Sequence, residues 1–161
     1  MQQLISILAV LLVPFLAAAQ KKPGDAATIK SSEVQGAAKP GATMIAVIKV
    51  ELEKGYHAHS NKPSEKQFIP TVLSLKAPAG MTVGKIKYPE GKSVAVKGLD
   101  KPLSVYEETF ELSVPLTLSA DAALPIKIPA TLGYQACQGA VCYPPRKLNF
   151  DIAILSASPQ K

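Results

Sequence analysis

Cys137, Cys142, His57 and His59 are the chain's only cysteines and histidines, and so its thiol and imidazole groups for neutral-pH chemistry. Four residues separate the cysteines in the segment 133–147, GYQACQGAVCYPPRK. Gln138 and Gly139 at its centre supply a turn. A hairpin-like loop would then bring the two Cα atoms within the roughly 4.4–6.8 Å that a disulfide spans. Closing so short a loop contributes only about 2 kcal/mol by chain entropy, little for a bridge whose purpose is stability. A local, exposed pair is better suited to being made and broken, because exchange needs one accessible sulfur and a nearby one to release the mixed disulfide. Spacing alone leaves redox exchange, a structural disulfide and metal ligation all open. The spacing is not Cys-x-x-Cys, and no helix N-terminus is evident to depress a thiol pKa. Arg146 and Lys147 are the nearby cations. The expectation is a sulfur that waits for a better-activated partner.

The histidines stand at i and i+2, so on a strand both face one side. They could complete a two-Cys, two-His copper or zinc site, tune the thiols by supplying nearby protons, or form a solvated pair at the mouth of a loop. Other chemistries find no support. Glu107 and Glu108 are adjacent, which on a strand points them to opposite faces and spoils a carboxylate dyad. No Ser-His-Asp pattern, phosphate-binding Gly loop or nucleotide fingerprint occurs. No cofactor is implied.

The elements that must position these residues read as strands. With 161 residues, the chain is one domain's worth of polypeptide. It is 47% hydrophobic and 19% charged, with 14 Pro and 10 Gly, which favours a turn-rich core over a helical bundle. Met44, Ala46, Ile48, Val50 and Leu52 share one face while Lys49 and Glu51 point away; Phe110, Leu112, Val114, Leu116 and Leu118 alternate with Glu111, Ser113, Pro115 and Thr117, and Leu148, Phe150, Ile152 and Ile154 with Asn149, Asp151 and Ala153. Shorter candidates are 71–76, 82–88, 93–97 and 125–132. No long window has a helical period. One buried face per strand needs a second sheet to cover it. The fold class expected is therefore all-β, an immunoglobulin-like antiparallel β-sandwich. Pro115 inside a strong pattern predicts an edge strand or a bulge.

Residues 1–19, MQQLISILAVLLVPFLAAA, predict a secretory signal peptide cleaved near Ala19, and hence an oxidising, exported location. Residues 20–41 are polar, a linker or first strand, and 42–158 form the domain. The net charge is +6, carried by scattered lysines without a basic block or interleaved aromatics, which excludes a nucleic-acid partner.

Several stretches resemble one family. Tyr134-Gln135-Ala136-Cys137, then four residues, then Cys142-Tyr143-Pro144-Pro145 is similar to the active-site segment of the N-terminal periplasmic domain of DsbD, the bacterial transmembrane thiol:disulfide interchange protein. Gly55-Tyr56-His57-Ala58-His59-Ser60, Pro70-Thr71, Tyr88-Pro89 and Tyr106-Glu107-Glu108-Thr109-Phe110 follow in family order, so the resemblance covers about 42–154. It implies an immunoglobulin-like sandwich and a thiol–disulfide exchange protein. Cys137 and Cys142 would be the redox pair, with Cys142 in the intermolecular step and Cys137 resolving. Tyr134, Gln135, Tyr143, Pro144, His57 and His59 would be its neighbours. A shielding cap loop would fall at 97–105, with Leu99, Asp100, Leu103 and Tyr106 as candidates. Implied partners are thioredoxin-like domains, a separate membrane thiol reductase as electron source, and a periplasmic disulfide isomerase or cytochrome c maturation thioredoxin as acceptor. The competing reading is a non-catalytic β-sandwich binding module with a structural disulfide.

Overall fold

The computed structural model describes residues 22–96 and 98–155, so the segment expected to be a signal peptide lies outside the described residues. Among the described residues there are twelve strands and no helix: β1 (Ala27–Gln35), β2 (Thr43–Leu52), β3 (His57–His59), β4 (Val72–Leu75), β5 (Met81–Val83), β6 (Lys92–Val94), β7 (Leu103–Glu107), β8 (Thr109–Leu118), β9 (Ile126–Tyr134), β10 (Ala136–Gln138), β11 (Val141–Cys142) and β12 (Arg146–Ile154).

All pairings between these strands are antiparallel. The strand orders are β1-β2-β8-β5, β12-β9-β4 and β11-β10-β3-β7-β6. The first two sheets are the layers of an immunoglobulin-like β-sandwich. Alternation builds the core between them. Met44, Ala46, Ile48, Val50 and Leu52 of β2 are buried, as are Phe110, Leu112, Val114, Leu116 and Leu118 of β8. Ile128, Leu132, Ile152 and Ile154 close it from the opposite layer. Leu148 and Phe150, expected on the same face as Ile152, are only half-buried; they pack against the core from β12, an edge strand of its sheet.

Pro115 does not lie in an edge strand, since β8 is flanked by β2 and β5. The irregularity falls on its neighbour instead. Val83 pairs with Leu116, yet the next bridge is Lys87 to Ser113, so the neighbouring chain carries one extra residue opposite Pro115. Gly84 sits there and donates its N–H to the Pro115 carbonyl at 2.7 Å. A side chain at Gly84 would approach the Pro115 ring to 3.0 Å. The missing proline N–H thus faces a bulge, where no ladder bond is lost.

The third sheet is built from strands that continue out of both layers. β9 runs into β10 across Gln135. β7 runs into β8 across Glu108, which takes a left-handed φ of 54° and accepts the Leu52 N–H at 2.6 Å. The cysteine segment therefore extends from one layer and its neighbours from the other, and the small sheet joins them.

Candidate functional site

β3 sits at the centre of this small sheet. Ala58 pairs with Tyr106 on one side and Ala136 on the other, and all three are buried. Alternation then turns His57 and His59 to the opposite face. Cys137 is the register partner of His57, and Cys142 is the register partner of Cys137 across the β10–β11 hairpin. Gly139, at φ 57°, makes the tight turn between those two strands. Cys137 and Cys142 are joined in a disulfide with their Cα atoms 3.9 Å apart, closer than the separation anticipated from spacing because they stand directly opposite.

The two sulfurs are not equivalent. Cys137 is fully buried, at 0% exposure, while Cys142 lies on the exposed edge strand beside Val141, which is 61% exposed. The sequence offered no signal for this asymmetry.

His59 touches both. Its Nε2 is 3.7 Å from Cys137 Sγ and 3.9 Å from Cys142 Sγ. The solvated-pair reading of the histidines fails, because His59 and His57 are 0% and 6% exposed. A four-ligand set also fails. Among the described residues, His59, Cys137 and Cys142 bring donor atoms within 4.8 Å of one another, and His57 does not join them. The His57 ring instead packs edge-on to that of His59, with centroids 6.4 Å apart.

An aromatic outside every motif of the sequence covers this face. Phe68 stacks on His59 with ring centroids 4.5 Å apart and planes 21° from parallel. It belongs to the segment between β3 and β4, which Thr71 pins by donating its hydroxyl to the His59 carbonyl at 2.6 Å. Ser64 ties the same segment to β7, accepting the Ser104 N–H and donating to the Pro102 carbonyl, each at 2.8 Å. The signal available was a lone aromatic in an otherwise polar stretch, SEKQF, just after the histidines.

The residues expected in a cap loop separate into two groups. Leu99 and Asp100 are exposed in the turn between β6 and β7; Leu99 is 44% exposed. Leu103 and Tyr106 belong to β7 and are buried in the sheet. Truncating Leu99 to Ala is therefore expected to change stability by less than about 0.5 kcal/mol, checked by the urea midpoint.

The remaining neighbours pack around the hairpin and its base. Gln135 donates its side-chain amide to the Tyr143 carbonyl at 3.1 Å, and the Tyr143 N–H reaches the Ala136 carbonyl at 2.9 Å, which closes the base of the hairpin. The Tyr143 ring rests against Tyr56, with centroids 5.8 Å apart, and Pro144 is exposed. Tyr134 is buried and donates its hydroxyl to the Gly24 carbonyl at 3.2 Å, which anchors the segment ahead of β1. Arg146 is engaged in the same place, 2.8 Å from Asp25 and 2.7 Å from the Pro23 carbonyl.

Burial pushes the pKa of His57 down, partly opposed by Glu107, which itself pairs with Lys92 at 3.5 Å. Burial also pushes His59 down, and the nearby His57 adds to that. Both rings are neutral at pH 7. A histidine depressed in the folded state binds fewer protons there than in the unfolded chain, so its contribution is fully present above pH ~6.5 and lost as pH falls through the folded value. Stability is expected to decline below pH ~6.5 by up to about 1.4 kcal/mol per pH unit per histidine. Urea midpoints from pH 7.5 down to about 5 check this, and a His57→Gln, His59→Gln double variant should flatten the slope.

Residues 25–153 match the family described as thiol:disulfide interchange protein DsbD, N-terminal. The DsbD N-terminal domain of Neisseria meningitidis in the reduced form is similar at 20% identity, over 78% of this chain and 85% of that one, with a TM-score of 0.48. The N-terminal periplasmic domain of ScsB from Proteus mirabilis is similar at 13% identity, over 84% of this chain and 49% of that one, with a TM-score of 0.53. The second likeness is one of fold. No curated protein matches the chain.

Proposed function

The chain belongs to the DsbD N-terminal domain family, and from that membership and the geometry of its cysteines we propose that it is an exported thiol–disulfide exchange protein cycling through the Cys137–Cys142 bond. The observation that carries this reading is the unequal exposure of the two sulfurs, one buried and one at a sheet edge. Exchange uses an accessible sulfur to meet the partner and a nearby one to release it, and unequal exposure assigns those two roles.

In the reducing direction, the Cys142 thiolate attacks a partner's disulfide and forms the mixed disulfide, and one partner sulfur leaves as thiolate. Cys137 then attacks Cys142 Sγ. The internal disulfide forms, the second partner sulfur leaves, and two electrons have passed to the partner. The family is periplasmic and works with thioredoxin-like partners and a membrane component. By extension, a separate membrane thiol reductase reloads this protein through a thioredoxin-like domain. Its acceptor is a periplasmic disulfide isomerase or a cytochrome c maturation thioredoxin.

The test is the reduction potential of the pair, read by thiol trapping in glutathione and dithiothreitol buffers. A value between about −120 and −270 mV is expected for an exchange-active pair. A value below about −300 mV, typical of structural disulfides, would overturn the reading in favour of a binding module.

A further inference from the structure

Cys137 Sγ is the sulfur that must carry charge out of contact with water. When a thiolate attacks Cys142, the electron pair of the broken bond leaves on Cys137, which is fully buried. A buried thiolate without a donor or cation is a poor leaving group, because desolvation raises its pKa. Arg146 is committed to Asp25 and the Pro23 carbonyl. Among the described residues, the polar side-chain atom in hydrogen-bonding reach of both sulfurs is His59 Nε2.

The proton on that ring can be placed from its other nitrogen. His59 Nδ1 is buried and meets no hydrogen-bond partner among the described residues. A proton there would be a buried donor with nothing to accept it, which carries a full desolvation penalty. A bare lone pair is the lesser defect. The neutral ring therefore carries its proton on Nε2, directed at the sulfurs. Stacking on Phe68 holds the ring plane in that orientation.

We propose that His59 is a catalytic hydrogen-bond donor, whose Nε2–H stabilises the thiolate on Cys137 as the disulfide opens and when it closes. This rests on the exchange reading above. In the opening step the incoming thiolate bonds to Cys142 Sγ, the Cys142–Cys137 bond breaks, and its electron pair remains on Cys137 Sγ. The imidazole proton stays on Nε2, shared in an N–H···S⁻ bond. In the closing step the same bond keeps Cys137 as thiolate until it attacks the mixed disulfide on Cys142. The arrangement is the sulfur counterpart of a preorganised oxyanion donor. Unlike an ion pair, it needs no charge on the histidine.

The experiment follows the Cys137 thiolate by ultraviolet absorbance against pH in a Cys142→Ala protein, with and without His59→Phe. Phenylalanine keeps an aromatic ring to stack on Phe68 and removes the donor. The thiolate fraction at a given pH is expected to fall about tenfold, the worth of one charge-assisted hydrogen bond. In the two-cysteine protein, His59→Phe is expected to slow reduction by glutathione by a similar factor. His59→Gln, which restores an N–H of comparable reach, should recover most of both. An unchanged Cys137 titration in His59→Phe overturns the proposal. So does stoichiometric copper(I) or zinc binding by the reduced protein that His59→Phe abolishes, because Nε2 would then present a lone pair. The Cys137 titration is read in a protein that has no disulfide, so failure of the exchange reading is told apart from failure of this one.

Discussion

Cys142→Ser is expected to abolish disulfide exchange, lowering the rate by at least about 10³-fold, as loss of a nucleophile does. Cys137→Ser is expected to behave differently. It keeps the exposed sulfur, so attack on a partner continues, but the buried sulfur that would release the product is gone. The mixed disulfide should then accumulate and be visible as a covalent adduct on a non-reducing gel. The difference between the variants follows from position. Cys142 is on a two-residue edge strand, and Cys137 is one strand further in, against β3. A partner reaching Cys137 directly would have to displace the hairpin. Equal trapping by the two single variants would show that both sulfurs are attacked and would remove the assigned order. Neither substitution should cost much stability, because the loop that the disulfide closes is short.

The largest effect on stability is expected at Tyr106. Its ring is 2% exposed and stacks on Phe110 with centroids 4.5 Å apart. Its hydroxyl donates to Asn61 Oδ1 at 2.8 Å and accepts the Asn61 N–H at 3.2 Å. Tyr106→Ala removes a core aromatic and should cost about 3–5 kcal/mol, a large share of the 5–15 kcal/mol that holds a domain folded. Tyr106→Phe keeps the ring and loses the hydroxyl, so it should cost only about 1 kcal/mol. The effect also reaches the site. Tyr106 pairs with Ala58 between the two histidines, and Asn61 begins the segment that carries Phe68. Urea unfolding at constant m-value measures the cost. A Tyr106→Ala loss below about 1 kcal/mol would mean that this end of the sandwich is not packed as described.

Tyr106 also illustrates the limit of reading order along the chain. Family order placed it at the end of a cap loop, whereas its strand pairing buries it in the sheet. The Cys-Tyr-Pro-Pro element was legible because it is contiguous, and its family match extends over residues 25–153. Phe68 was not legible, since nothing in a polar loop says which distant ring its aromatic will meet.

The division has a physical cause. Alternation in β2 and β8 is imposed by the two-residue repeat of a strand, which is local. The sequence alone therefore determined that the protein is an all-β sandwich and which faces of those strands are buried. The spacing of Cys137 and Cys142 is local as well, so a hairpin disulfide could be read from a single segment. What faces that disulfide is not local. His59 meets Cys137 across 78 positions of sequence because β3 is inserted between β10 and β7. Only that pairing buries one sulfur, exposes the other and sets a neutral imidazole against both. Strand order is chosen by the packing of the whole core, so no stretch of residues encodes it by itself.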